Sequence, residues 1–117
     1  MVHIEIGRQQ RPFKFGFNAI DIFCSRRNVS IAEFGERLAE IAKGSATPGE
    51  LRDIIYAGLA GGALSNGQPI SFTNYEVGDW LDELPQGELA KMMESLSQSV
   101  AAKDKKKLPK EPKTDRN

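Results

Sequence analysis

Apolar and polar residues alternate over 2–6 (Val-His-Ile-Glu-Ile) and again over 11–17 (Arg-Pro-Phe-Lys-Phe-Gly-Phe). Period-two alternation predicts two strands, each with one buried face. Gly7, Arg8, Gln9 and Gln10 form a link short enough for a hairpin, with Gly7 supplying permissive backbone. Pro12 cannot donate to a ladder and belongs at a strand start or on an edge. A lone hairpin is marginal in water, so helices must cover Val2, Ile4, Ile6, Phe13, Phe15 and Phe17.

From residue 18 the apolar spacing changes to three and four. Asn18 is positioned to cap a short helix with Ala19, Ile20, Phe23 and Cys24 on its apolar side. A second helix runs from a Ser30 cap to Lys43, with Ile31, Phe34, Leu38 and Ile41 in register, and Gly44 follows as a left-handed terminator. A third opens with Thr47 as cap and Pro48 at the first helical position. Its stripe is Leu51, Ile54, Ile55, Gly58 and Leu59. The small residues at 57, 58 and 60–63 would let another helix approach closely. Ile70, Ser71 and Phe72 lead into a fourth helix capped by Thr73, with Val77, Trp80, Leu81 and Leu84 on one side. Pro85 and Gly87 mark a break. A fifth helix carries Leu89, Met92, Met93, Leu96 and Val100.

Three of these starts share one grammar. Ser30 and Glu33, Thr47 and Glu50, and Thr73 and Glu76 each place a hydroxyl three residues before a glutamate, the signature of a reciprocal capping box. The predicted fold is α+β: an N-terminal β-hairpin packed on about five helices over residues 1–102, followed by a disordered basic tail over 103–117.

Composition adds the charge pattern. The chain of 117 residues has net charge zero, but residues 103–117 hold seven Lys/Arg and three Asp/Glu, a local +4. The other 102 residues hold nine basic and thirteen acidic side chains, or −4. The tail has no aromatic for base stacking, and Pro109 and Pro112 break any helix in it, so nucleic acid is not the expected partner. No apolar run approaches the roughly 18 residues of a membrane span, and Glu5, Arg8 and Arg11 interrupt any signal-peptide stretch. A lone Cys24 excludes an internal disulfide and fits a reducing cytoplasm.

The catalytic inventory is thin. His3 lacks the companion ligands that a zinc site needs. Cys24 sits on an apolar helix side, as a buried inert thiol does. Residues 62–67 have the glycine spacing of a phosphate-binding loop, but Gln68 and Pro69 stand where Lys and Ser or Thr are required, leaving a plain loop. Glu76, Asp79, Asp82 and Glu83 read as a solvated acidic face. No catalytic, cofactor or metal site is expected, and no small-molecule substrate. A binding surface is expected instead on Trp80, Leu84, Leu89, Met92, Met93 and Leu96, where soft methionines can repack against different apolar partners.

The hairpin, Phe-x-Phe-Gly-Phe-Asn-Ala-Ile at 13–20, Leu-Arg-Asp-Ile-Ile-Tyr-Ala-Gly-Leu at 51–59 and Val-Gly-Asp-Trp-Leu-Asp-Glu at 77–83 follow one another here. Together, over roughly residues 2–84, they resemble the tail assembly chaperones of long-tailed bacteriophages and gene transfer agents. The stretch Cys24-Ser25-Arg26-Arg27 departs from the acidic segment such proteins carry there. The resemblance implies a non-enzymatic chaperone in the host cytoplasm that binds the long, apolar, helical tape measure protein before the tail tube polymerises. The tail tube protein and self-association are further implied contacts. It also implies a longer frameshifted form, to whose second domain the tail would be a tether. A minor structural subunit of the tail is the alternative reading, and a basic-tailed nucleic-acid adaptor the next.

Overall fold

The computed structural model describes residues 1–98. The basic tail, the domain boundary at 102 and Val100 lie outside the described residues. The order is β1 (Val2–Ile6), β2 (Gln9–Phe13), α1 (Phe17–Arg27), α2 (Ile31–Ala42), α3 (Pro48–Ser65) and α4 (Asn74–Asp82). A fifth helix, α5, is helical at 88–98. The architecture is α+β, an antiparallel hairpin packed on five helices among the described residues.

β1 and β2 pair in register Val2↔Phe13, Ile4↔Arg11 and Ile6↔Gln9. The turn is two residues long, and Gly7 and Arg8 both have positive φ, 64° and 66°. That is the tight hairpin turn whose twist matches the strands, so Gln9 and Gln10 belong to β2 rather than to the link. β2 stops at Phe13, short of the predicted residue 17. The chain turns at Gly16, which replaces Asn18 as the residue preceding α1. Phe17 therefore leaves the hairpin's inner face and stands 73% exposed, while Phe15 stays buried, stacked on Phe34 at 5.8 Å.

The hairpin docks onto α3, and glycines set how closely. A Cβ at Gly58 would lie 2.2 Å from the Phe13 ring, and one at Gly62 would lie 2.1 Å from the Pro12 carbonyl oxygen. The Lys14 N–H donates to the Gly58 carbonyl at 3.0 Å, a strand-to-helix bond that such proximity permits. At Gly61 the neighbours are the Lys14 carbonyl oxygen and Ala19 of α1. The small-residue face of α3 thus receives the helix α1, as its composition predicts, and the end of β2 beside it. The segment 62–65 is the last turn of α3, and only Asn66 onward is loop, which corrects the predicted loop start.

Ser30 and Thr73 form complete capping boxes with Glu33 and Glu76. The third is half made. Thr47 Oγ1 accepts from the Glu50 N–H, but the Glu50 carboxylate turns inward to Arg37, which donates from Nε at 2.7 Å and from Nη2 at 2.6 Å. Glu50 is only 4% exposed, so it requires such a partner. This ion pair fixes α2 against α3.

α5 closes the hairpin's free edge. The outward N–H of Glu5 donates to Glu88 Oε1 at 2.6 Å, and Lys91 Nζ donates to the His3 carbonyl at 3.4 Å. Both bonds satisfy groups that an uncovered edge strand leaves open. The Glu5 amide holds the Glu88 carboxyl below the usual carboxylate range.

Candidate functional site

Between α2 and α5 lies an open apolar groove of about 600 Å³. Its floor is the buried face of both helices, Leu38, Ile41 and Leu96, extended by Leu51 at the start of α3. The α2 wall is made of small side chains, Gly35, Ala39 and Ala42, all exposed. Their spacing of four and three places them on one helix face, beside the core face of Phe34, Leu38 and Ile41. The α5 wall is Leu89 and Met93, with Ser97 at its end. Gly44 and Ala46, in the link between α2 and α3, close one end. Leu89 is 39% exposed, one of six large apolar side chains so exposed among the described residues.

The groove sorts the six residues expected to bind a partner. Leu89, Met93 and Leu96 line it. Met92 does not: it is fully buried, and with Leu96 it anchors α5 in the core. The periodicity of 89, 92, 93 and 96 wraps far enough round the helix that one edge faces inward and the other outward. Trp80 lies outside the groove, against the hairpin's turn. Its ring lies against Gly7, where a Cβ would approach to 2.7 Å, and beneath the Arg11 guanidinium at 4.2 Å. Phe72 completes that stack, 5.7 Å from Trp80 and 5.6 Å from Arg11. Burial there pulls the Arg11 guanidinium below its ordinary value, with the charge of Glu76 opposing. Leu84 is half-buried against the core and does not line the groove. Met92 is thus sealed in the core, while Trp80 and Leu84, both half-buried, lie outside the groove, which takes in only the α5 part of the expected surface.

Sequence reasoning missed the α2 half. Gly35, Ala39 and Ala42 are too small to register as an apolar stripe, yet their four- and three-residue spacing was available as a signal.

Among the described residues, no three of His, Cys, Asp and Glu are grouped so as to hold a metal ion, and no helix is long and apolar enough to cross a membrane. Cys24 is half-buried, with Sγ 3.9 Å from the Ser30 carbonyl. Burial, with Asp21 and Glu33 adding negative charge, pushes its thiol up. His3, Asp79, Asp82 and Glu83 are exposed, and Glu76 is engaged as a cap. No protein-family model matches the chain, and no curated protein and no solved structure matches it.

Proposed function

We propose that this chain is a non-enzymatic assembly chaperone that holds an apolar helix of its partner in the groove between α2 and α5. The observation that carries the reading is that groove, open and lined mainly by apolar side chains. Small side chains on one wall let a ligand backbone come close, and Leu89 and Met93 on the other offer deformable contact. Covering a large apolar side chain yields about 1.5–3 kcal/mol when it starts fully exposed, so Leu89, 39% exposed, yields about 1 kcal/mol. Contacts of that size sum to reversible masking, which suits a chaperone that must let go.

On the resemblance drawn above, the partner is the tape measure protein of a phage tail, shielded in the host cytoplasm until the tail tube grows around it. A minor structural subunit of the tail is the alternative from another class.

Co-expression of this chain with a tape measure protein tests the proposal. The parent chain should raise the partner's soluble fraction, and L89E and M93E should remove the gain while keeping the parent's circular dichroism and thermal midpoint. Folded variants that protect as well as the parent would overturn the groove as the binding surface. Mass spectrometry of purified virions separates the two classes: a chaperone is absent from the particle, a structural subunit present.

A further inference from the structure

Where the end of α1 meets the first turns of α3, three arginines surround one carboxylate. Asp53 is 4% exposed. Arg27 Nη1 donates to its Oδ2 at 3.0 Å, and the Nε atoms of Arg26 and Arg52 stand 3.7 Å from its Oδ1. Neither Asp53 Oδ1 nor Arg52 Nε has a hydrogen-bond partner. Three guanidiniums and one carboxylate leave a net +2 concentrated at one point of an otherwise acidic domain.

These side chains are neither buried nor loose. They are 36%, 34% and 28% exposed for Arg26, Arg27 and Arg52. Arg26 lies over the Tyr56 ring at 5.0 Å and Arg52 over the Tyr75 ring at 5.0 Å, so aromatic faces hold two of the three planes. Arg27 and Arg52 also converge: a Cβ built on Gly49 would sit 3.8 Å from Arg27 Nη1 and 3.8 Å from Arg52 Nη2. Gly49 lies in the first turn of α3, where backbone N–H groups lack an acceptor four residues back. Donors from Arg27, Arg52 and the helix start therefore converge near Gly49, beside a carboxylate whose Oδ2 accepts from Arg27 and whose Oδ1 is unpartnered.

We propose that Arg26, Arg27 and Arg52 form a docking site for carboxylate side chains of a short acidic segment in a partner protein. Guanidinium forks match carboxylate geometry, and the excess of two positive charges calls for oxyanions from outside. Surface charge favours a short segment over a long polyanion. Residues 1–98 carry nine basic and thirteen acidic side chains, so outside the cluster six basic face twelve acidic, counting Asp53 with the cluster. Nucleic acid extending beyond the cluster meets that negative surface. Tyr75, 71% exposed, adds an apolar flank that a peptide can cover. This site is distinct from the groove and stands whether or not the groove binds a helix.

The test is a residue-resolved NMR titration of the full chain with N-acetyl-hexaglutamate amide, using N-acetyl-hexaglutamine amide as the neutral control. Hexaglutamate should move the amides of Gly49, Arg52 and Arg26, with affinity falling severalfold between 20 and 200 mM salt, and hexaglutamine should move none. Peptide bound by the basic residues 103–117 is read separately in the same spectra. R26Q and R52Q each keep the 3.0 Å Arg27–Asp53 bond, and each should weaken binding at the cluster about two- to fivefold. K91Q, on α5, should leave it unchanged. Cluster amides that do not respond, or affinity unchanged in both arginine variants, would overturn the proposal. So would a twelve-residue thymidine oligonucleotide that occupies the cluster more tightly than hexaglutamate.

Discussion

Replacing Gly62 with alanine tests how the hairpin is seated. The new Cβ would stand 2.1 Å from the Pro12 carbonyl oxygen and 2.9 Å from the Phe13 amide nitrogen, whereas ordinary contact begins at 3.4 Å. These are backbone atoms that no rotamer change can clear, so β2 must retreat by about 1.3 Å, the difference between 2.1 and 3.4 Å. That retreat stretches the 3.0 Å bond from Lys14 to Gly58 past hydrogen-bonding range and loosens Phe13 in its slot. Overpacking costs about 1–3 kcal/mol, the lost bond about 1 kcal/mol, and alanine returns about 1 kcal/mol of helix propensity. The expected net loss is about 1–3 kcal/mol. Gly35 supplies the control, because it lies mid-helix in α2 with nothing within 4 Å of its would-be Cβ. G35A should gain up to about 1 kcal/mol. Urea unfolding followed by circular dichroism and by Trp80 fluorescence reads both variants. If G62A proves as stable as the parent, the close seating of β2 on α3 is wrong.

Other expectations follow from the charged and polar contacts. Folding holds the Glu88 and Glu33 carboxyls below their usual value of 4.5, through the amides of Glu5 and Ser30, so below that value the unfolded chain binds more protons. The stability they contribute is present above about pH 4.5 and lost as pH falls through their lowered values; E88Q should flatten the urea midpoint's decline between about pH 6 and 3. R37A strands a buried Glu50 carboxylate and should lower the thermal midpoint clearly, whereas R8A, which removes only an exposed 3.9 Å contact to Glu83, should leave it unchanged. Cys24, with its thiol pushed up, should react with a disulfide reagent more slowly at neutral pH than free cysteine, and accelerate only after unfolding.

Much of the fold was legible because its cues are local. Alternation marked β1 but reached β2 only at residues 11–13, and hydroxyl–glutamate pairs marked the starts of α2, α3 and α4 at the right residues. What failed depends on partners distant in sequence. Glu50 fits a capping box by spacing, and only its burial against Arg37, thirteen positions away, diverts its carboxylate. Phe17 continues the alternation of its strand, but Gly16 breaks the chain's direction first. Met92 and Met93 are adjacent and chemically identical, and their placement depends on how α5 is rotated by its bonds to β1. The groove was half legible for the same reason: α5 announces its wall with large side chains, while α2 announces its own only with small ones.

The Glu5–Glu88 bond spans 83 positions of the chain. A ribosome adding roughly 5–20 residues per second needs roughly 4–17 s to travel that far. Throughout that interval the rim of β1 waits bare on the nascent chain, and a bare β rim recruits β segments from neighbouring nascent chains. Translation speed over the stretch in between therefore sets how long each newborn molecule stays vulnerable to zipping onto its siblings. Slow codons placed there should raise the insoluble fraction without altering one amino acid.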